Sequence, residues 1–191
     1  MAVNGQPTDR QSIHEELDRV RDDLHHLVAQ ATAADLRRRT AGTRWTNEQM
    51  LWHMAFGFLI VRRLLPLVRL FGRLPDSFSR LFAAVLNSLT RPFHVVNYLG
   101  GAAGALVFHG RRLIRLNDRT VDVLHRRLDA EAEERLLRTM HFPVGWDPFF
   151  RDSMTLEQVY RYGIQHYDFH RAQLTIDRQG PNRTPGGAPG S

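Results

Sequence analysis

Apolar residues recur at helical spacing along three long stretches of this sequence, and each stretch opens with a hydroxyl residue followed three positions later by Glu or Gln. This spacing is the capping-box pattern, in which the two side chains satisfy each other's backbone N–H groups at a helix start. The three pairs are Ser12 with Glu15, Thr46 with Gln49, and Thr155 with Gln158. The predicted helices run from about Ser12 to Ala31, from the N-cap Thr46 to at least Leu65, and from about Leu156 to Arg178.

The stretch between the second and last of these helices is less regular. Pro66 should end or kink the second helix, and further prolines and glycines, including GGAAG at residues 100–104, interrupt the apolar pattern. We expect a connection with one or two short helices at residues 67–107, a third main helix from about Val107 to Leu128, and another short helix within residues 131–139. HFPVGWDPFFRDSM, residues 141–154, has the signals of an ordered loop. Since no segment alternates like a strand, the sequence predicts an all-α, up-down four-helix bundle with a long crossover and extra short helices.

A chain of 191 residues suits one domain. We expect that domain at residues 11–178, between a flexible N-terminus at residues 1–10 and a disordered tail at residues 179–191. The longest apolar runs are shorter than the roughly 18 residues that a membrane-spanning helix needs, and the first residues do not resemble a secretory signal. The expected location is therefore cytoplasmic.

The chain has no cysteine, so disulfides, thiolate metal ligands and a cysteine nucleophile are excluded, and any metal site must use His, Asp or Glu. The net charge is +6, and every basic residue is arginine. Twelve arginines face three aspartates within residues 60–127. Such a segment could lie on an anionic membrane surface or hold an anionic, apolar substrate, although arginines on solvated helix faces are the simpler interpretation. No DNA-binding motif accompanies them, so no nucleic-acid partner is expected.

His166 and His170 lie four positions apart in YGIQHYDFHRAQL. On a helix these residues share one face, with Cβ atoms about 5–6 Å apart, so both imidazoles could bind one metal ion. With ten histidines in the chain, chance could also produce this pair. His53 lies within the apolar run MLWHMAFGFLI, where a buried imidazole needs a partner. It is either a core histidine bonded to the backbone or a third metal ligand.

Glycines lie close to these histidines in the sequence. Gly57 follows His53 by one turn and Gly163 precedes His166 by nearly one turn, and each costs about 1 kcal/mol of helix stability relative to alanine. This cost indicates either space left near the histidines or close helix packing.

Two segments together resemble the DinB-like superfamily of damage-inducible four-helix bundles: RWTNEQMLWHMAFG at residues 44–57 and TLEQVYRYGIQHYDFHRAQL at residues 155–174. That superfamily includes mycothiol-dependent maleylpyruvate isomerases and bacillithiol or mycothiol S-transferases. Its hallmark is one histidine on the second helix and an H-x-x-x-H pair on the last long helix, which together bind a divalent metal. The resemblance implies such a site at His53, His166 and His170, and it matches Trp45 to the tryptophan before the second helix. It covers about residues 10–65 and 107–175, whereas residues 67–106 are longer than in a short member.

Three neutral imidazoles would leave coordination positions open, as in catalytic zinc sites. The expected cofactor is a divalent metal, with zinc as first candidate and nickel, manganese or iron as alternatives, because imidazole binds all of them. The thiol-transferase relatives imply that the metal activates a low-molecular-weight thiol of the mycothiol type toward a small electrophile. The alternatives are a hydrolase that uses metal-bound water and a non-enzymatic metal-dependent or membrane-surface binder that uses residues 60–127. The resemblance also makes a homodimer an option.

The substrate-pocket candidates are Gln49, Tyr162, Gly57 and Trp45. Gln49 precedes His53 by one turn and Tyr162 precedes His166 by one turn, so both could orient a ligand; a capping glutamine and a packed tyrosine are the alternatives. Asp168 is rotated by about 200° from His166 and should face solvent. Other aromatic and imidazole side chains could form a lid or approach the site, although core, surface or turn positions are the simpler interpretation; these are Trp45, Trp146, Phe149, His94 and His141.

Overall fold

The computed structural model describes residues 9–176, which contain eight helices and one pair of short strands. The elements in chain order are α1 (Arg10–Gln30), α2 (Ala33–Arg37), α3 (Asn47–Phe71), α4 (Asp76–Ser88), α5 (Thr90–Val107), α6 (Gly110–Asp129), α7 (Glu133–Leu136), β1 (Thr139–His141), β2 (Ser153–Thr155) and α8 (Leu156–Arg171). The all-α prediction is confirmed. The predicted disordered tail at residues 179–191 lies outside the described residues, as does the predicted flexible N-terminus except for residues 9 and 10, where Arg10 already begins α1.

Two of the three predicted capping boxes form. Thr46 caps α3 and Thr155 caps α8, and in each case the Gln three positions later accepts a bond from the threonine N–H. The prediction for the first helix was wrong at its start, because α1 is capped by Asp9, whose side chain accepts from the Ser12 N–H at 3.0 Å. A carboxylate one turn earlier thus replaces the expected hydroxyl cap.

The four long helices form the bundle around one core. α1 contacts α6 and α8, and α3 contacts the same two helices. Their apolar residues recur every three or four positions, so each helix buries one continuous stripe; in α1 this stripe is Ile13, Leu17, Val20, Leu24 and Leu27. All five are fully buried, and burial of each contributes about 1.5–3 kcal/mol. Packing of these stripes holds the helices that carry the histidines.

Side-chain pairs establish the directions of the four helices. α1 and α6 are antiparallel, α1 and α8 are parallel, and α3 and α8 are antiparallel. For α1 and α6 the pairs are Arg21 with Asp122 and His25 with Asp118. For α1 and α8 they are Arg19 with Asp168 and Asp23 with Arg171. For α3 and α8 they are Gly57 with His166 and Val61 with Gly163. It follows that α3 and α6 run in the same direction, so a short turn cannot join them and a crossover is required.

The crossover consists of α4 and α5, which pack mainly on α3 and β1. The prediction of one or two short helices is correct in number, but α4 has 13 residues and α5 has 18. Pro66 does not end α3, which continues to Phe71. The GGAAG sequence lies inside α5, where a Cβ on Gly104 would be 2.1 Å from Trp52 Nε1. Gly101 and Gly104 therefore allow close approach of α5 to Trp45 and Trp52, and none of the three glycines breaks the helix.

The remaining differences concern element ends and two strands. α5 continues to Val107, so α6 begins at Gly110 instead of Val107, and α8 ends at Arg171 instead of Arg178. The sequence predicts no strands, yet β1 and β2 pair antiparallel with Met140 opposite Met154. They bring together the ends of the aromatic loop of residues 142–152, which contacts α8 through Phe150 with Tyr162 and Phe149 with Phe169. Within residues 9–176, no helix combines the length and apolarity required to cross a membrane.

Candidate metal centre

The three predicted histidines meet at one place between α3 and α8. His53 lies on α3, and His166 and His170 lie one turn apart on α8. Their ring centroids are 4.9 Å apart for His53 and His166, 4.8 Å for His53 and His170, and 4.5 Å for His166 and His170. One ring nitrogen from each lies within 4.8 Å of the other two. Three nitrogens bound to one tetrahedral zinc ion at about 2.1 Å lie about 3.4 Å apart, so these nitrogens need to converge by at most about 1.4 Å to share an ion.

The hydrogen bonding of these rings fits a metal site. The Nδ1 atoms of His53 and His166 are buried and have no hydrogen-bond partner among residues 9–176. A buried polar atom without a partner costs free energy, and coordination to a cation would remove that cost. His170 Nδ1 donates to Gln173 Oε1 at 2.8 Å, which leaves its Nε2 lone pair available. The donor set is therefore three imidazole nitrogens.

All three imidazoles are held in the neutral form. Burial, and then the nearby His170, lowers the pKa of His53 to about 3. Burial lowers the pKa of His166 well below its ordinary value, with smaller contributions from His53 and His170. Burial also lowers the pKa of His170. A neutral imidazole has the free lone pair that a metal ion requires, so the environment prepares these rings for coordination.

Gly57 provides the space for one of the rings. A Cβ at this position would lie 2.7 Å from His166 Nδ1 and 3.1 Å from His166 Cε1, distances that no side chain could occupy without displacing the imidazole. Gly163, by contrast, faces Val61 and Phe58 and serves close packing of α8 on α3. Each glycine near the histidines thus has a different role, and only Gly57 belongs to the site.

A cavity of about 440 Å³ begins at His53 and His166, within the usual size range of small-molecule sites. Its walls come from α3, from the crossover, from the β1–β2 region and from α8. On α3 the lining includes His53, Phe56, Gly57, Ile60, Arg63 and Leu67, and on the crossover it includes Phe82, Leu86, Phe93, Val96 and Asn97. The third wall contains Met140, Phe142, Trp146, Asp147 and Phe150. The lining is mostly apolar, so bound ligands would be shielded from water.

Asp147 lies at the histidine end of this cavity and was not predicted as a site residue. Its Oδ2 accepts a bond from the Tyr162 hydroxyl at 3.0 Å and lies 3.9 Å from His166 Nε2, and its Oδ1 accepts from the Phe149 N–H at 2.9 Å. Burial raises the pKa of the Asp147 carboxyl. Burial and the Asp147 carboxylate raise the pKa of Tyr162. The only signal in the sequence was an acidic residue inside an aromatic loop, which does not indicate its neighbours.

The four pocket candidates differ in position. Gly57 and Tyr162 line the cavity. Trp45 is buried with its ring centroid 4.4 Å from that of His53. It does not line the main cavity and borders a smaller pocket with Thr43, Arg44 and Tyr98. Gln49 accepts a bond from the Thr46 N–H and does not line the cavity, so it is placed as a helix cap.

The other aromatic and charged candidates are also dispersed. Trp146 lines the cavity, stacks on Phe93 and donates to the Leu86 carbonyl at 2.8 Å, whereas Phe149 contacts Phe169. His94 is exposed on α5. His141 is buried in β1 beside Asp76 and Asp152, not at the surface or in a turn. Asp168 is exposed and pairs with Arg19.

Comparison with known proteins agrees with this architecture. Neither the curated proteins nor the solved structures include a match to this chain. A family model does match, and it spans residues 16–174, which include most of α1, the other three bundle helices, the crossover and all three histidines. The chain therefore belongs to the DinB superfamily.

Proposed function

We propose that His53, His166 and His170 hold one divalent metal ion and that the protein is a transferase that joins a low-molecular-weight thiol of the mycothiol type to a small electrophile. The observation that carries this proposal is the convergence of three neutral imidazoles, two of them with unpartnered buried nitrogens, at the end of a ligand-sized apolar cavity. Zinc is the first candidate ion, and nickel, manganese and iron are alternatives that bind the same ligands. Membership of a metal-binding superfamily supports the metal.

The chain's own residues would position the reactants. The three imidazoles would hold the ion from the α3 and α8 side, so its remaining coordination positions would face the cavity. When bound, a divalent ion supplies positive charge that lowers the pKa of a coordinated thiol or water. Asp147, fixed by Tyr162 and the Phe149 N–H, would keep the His166 ring in place. Gly57 would leave the ring its space, and the apolar lining would exclude water.

The proposed reaction needs no oxidant or reductant. A bond forms between the thiol sulfur and the electrophilic carbon, and the bond between that carbon and its leaving group breaks. Sulfur supplies the electron pair of the new bond, and the thiol proton leaves with the departing group. Since the external thiol is the nucleophile, the absence of cysteine from the chain is compatible with this chemistry.

Metal analysis of the purified protein tests the first half of the proposal. We expect about one divalent ion per chain in the native protein and none in the triple variant His53→Ala, His166→Ala, His170→Ala. A matched control replaces three exposed histidines, His26, His94 and His109, and should keep the ion. Equal metal content in the site variant and the native protein would contradict the proposal.

Activity assays test the second half. The metal-loaded protein is incubated with mycothiol and an aryl halide, and separately with ester and amide substrates. Thioether formation that is lost in the triple site variant is the expected result. Ester or amide hydrolysis without thioether formation would instead select the hydrolase, in which the nucleophile is water.

A second role is favoured by the surface of the crossover. Large apolar side chains of α4 and α5 are exposed, among them Phe78, Leu81, Val96 and Leu99 at 55%, 67%, 67% and 57%. A contiguous exposed apolar surface marks an interaction site, and nearby arginines would favour an anionic membrane. Sedimentation with anionic and with neutral vesicles tests this role, and light scattering without lipid tests the alternative in which this surface joins two copies of the chain. Binding to neither vesicle would exclude the membrane role.

A further inference from the structure

The cavity is elongated along α3. Its lining residues on this helix recur every three or four positions from His53 through Ile60 to Leu67, which is one continuous face of a helix. Ten residues separate His53 from Arg63, or about 15 Å along the axis at 1.5 Å per residue. A ligand that lies in this cavity and touches both ends must therefore be long.

The cavity walls formed by the crossover and by the loop after β1 are apolar except for Asn97 and, at the histidine end, Asp147. The crossover contributes Phe82, Leu86, Phe93 and Val96, and the loop after β1 contributes Phe142 and Trp146. Between the histidine end and Arg63, these walls offer little to a polar group, so a strongly polar ligand would lose its hydration without compensation. The middle of the ligand should therefore be hydrocarbon.

Arg63 is the one arginine that lines the cavity. Its side chain is exposed, and within residues 9–176 no acidic side chain forms an ion pair with it. Other guanidinium groups lie nearby: after the larger effect of burial, Arg69, Arg62 and Arg63 lower the pKa of Arg127, although Arg69 itself pairs with Glu131. A free arginine at the edge of an apolar cavity is suited to a carboxylate, which it can bind with two parallel hydrogen bonds.

We infer that the cavity takes an elongated apolar molecule with one anionic group, which binds with the anion at Arg63, its hydrocarbon part against the crossover, and its far end at the three histidines. This inference rests on the proposed function for the identity of that far end as the reacting electrophile. The binding itself does not require the reaction. A chain carboxylate whose extended length is close to the separation of Arg63 and His53, such as dodecanoate, is the simplest probe of this class.

Calorimetric titration of the full chain with dodecanoate and with dodecanol tests the charge at Arg63. Arg63→Gln should weaken dodecanoate binding by about ten-fold, or about 1.4 kcal/mol, because it removes the charge-assisted hydrogen bonds to the carboxylate. It should change dodecanol binding less than about two-fold. Arg62→Gln is the matched control, since Arg62 is the adjacent arginine and does not line the cavity. An equal loss with both variants would mean general surface charge and would overturn the inference.

A second variant tests the hydrocarbon part. Ile60→Trp adds a large side chain to the lining between the two ends and should weaken both probes by more than about ten-fold while metal content stays at the native level. Octanoate should bind more weakly than dodecanoate, since it cannot reach from Arg63 to the histidines. Absence of binding by any probe to the native protein, or affinity that is independent of chain length, would also overturn the inference.

These readouts separate the inference from the proposed function. Native metal content and thioether formation without any dodecanoate binding would contradict only this inference and would leave the proposed function intact. Dodecanoate binding that depends on Arg63, in a protein that neither binds metal nor transfers a thiol, would contradict only the proposed function and would leave this inference intact.

Discussion

The bundle helices and the α4–α5 crossover bury their apolar residues to very different extents. α1 buries five apolar side chains completely, and α3 buries twelve residues along its length. α4 buries only Ser79 and Ala83, and α5 only Gly101 and Ala105, while Leu81 and Leu106 are 67% and 79% exposed. Local stability follows the density of buried contacts. The histidines thus lie on the most stable part of the molecule, and much of the cavity wall lies on the least stable part.

This difference in burial matches two different requirements, those of metal binding and those of ligand binding. A metal site requires ligand atoms held within a fraction of an ångström, and rigid packed helices provide that. A wall that accepts an apolar molecule needs complementary surface but tolerates movement. Metal binding should therefore depend on the bundle and on Asp147 beside His166 but not on the crossover. Ligand selection should depend on the crossover as well as on Arg63 and Ile60 of α3. Substitutions can test whether the two functions are separable.

The largest effect is expected for the metal ligands. His166→Ala should lower metal affinity by more than about 100-fold, since even the loss of an outer partner of a ligand costs 10–100-fold. Phe82→Ala, on the cavity wall of the crossover, should leave metal affinity unchanged. Competition with a chromogenic chelator measures both. A comparable loss in Phe82→Ala would mean that the crossover helps to hold the ion.

Core substitutions should show the difference in stability directly. Leu17→Ala in α1 removes a fully buried side chain and should lower the free energy of unfolding by about 2–5 kcal/mol. Leu81→Ala in α4 removes a side chain that is 67% exposed and should change it by less than about 0.5 kcal/mol. Urea unfolding of the two variants measures this difference. If Leu81→Ala were as destabilising as Leu17→Ala, the exposed surface of α4 would be covered in solution, for example by a second copy.

Two glycines of α5 provide a matched pair for the attachment of the crossover. A Cβ on Gly104 would lie 2.1 Å from Trp52 Nε1, whereas a Cβ on Gly100 would meet nothing within 4 Å. Gly104→Ala should therefore destabilise the protein by about 1–3 kcal/mol through overpacking. Gly100→Ala should stabilise it by about 0.5–1 kcal/mol through helix propensity.

Thermal unfolding and hydrogen exchange of α5 amides would show both effects of these glycine substitutions. Metal content should be native in both variants. Loss of the ion in Gly104→Ala would mean that metal binding depends on how the crossover packs on the bundle, contrary to our expectation.

The smallest effect is expected at the cap of α8. Thr155→Ala removes the side-chain acceptor of the Gln158 N–H, a bond of 3.1 Å, and should lower the free energy of unfolding by about 1 kcal/mol. Thr155→Ser keeps the hydroxyl and should recover most of this loss. Because the cap lies far along α8 from His166 and His170, metal stoichiometry should not change. The urea midpoint and elemental analysis report the two quantities.

More of the histidine site than of its surroundings could be predicted from the sequence. Helical spacing brings His166 and His170 onto one face, and the apolar neighbours of His53 indicate burial, but the resemblance to the DinB-like superfamily was needed to assign the three residues to one site. Asp147 and Arg63 could not be selected in this way. Asp147 is one of several acidic residues, and Arg63 is one of twelve arginines in residues 60–127. Only long-range contacts single them out.

The approximate positions of the four bundle helices could be predicted from the sequence alone, because caps and apolar periodicity relate residues three or four positions apart. The threonine caps of α3 and α8 and the buried stripe of α1 are of this kind. Only the tertiary structure decided that α3 and α6 run in the same direction, that Gly104 of α5 lies against Trp52, and that the crossover completes an apolar cavity beside the histidines. These outcomes depend on packing between residues far apart in the chain, which no local pattern encodes.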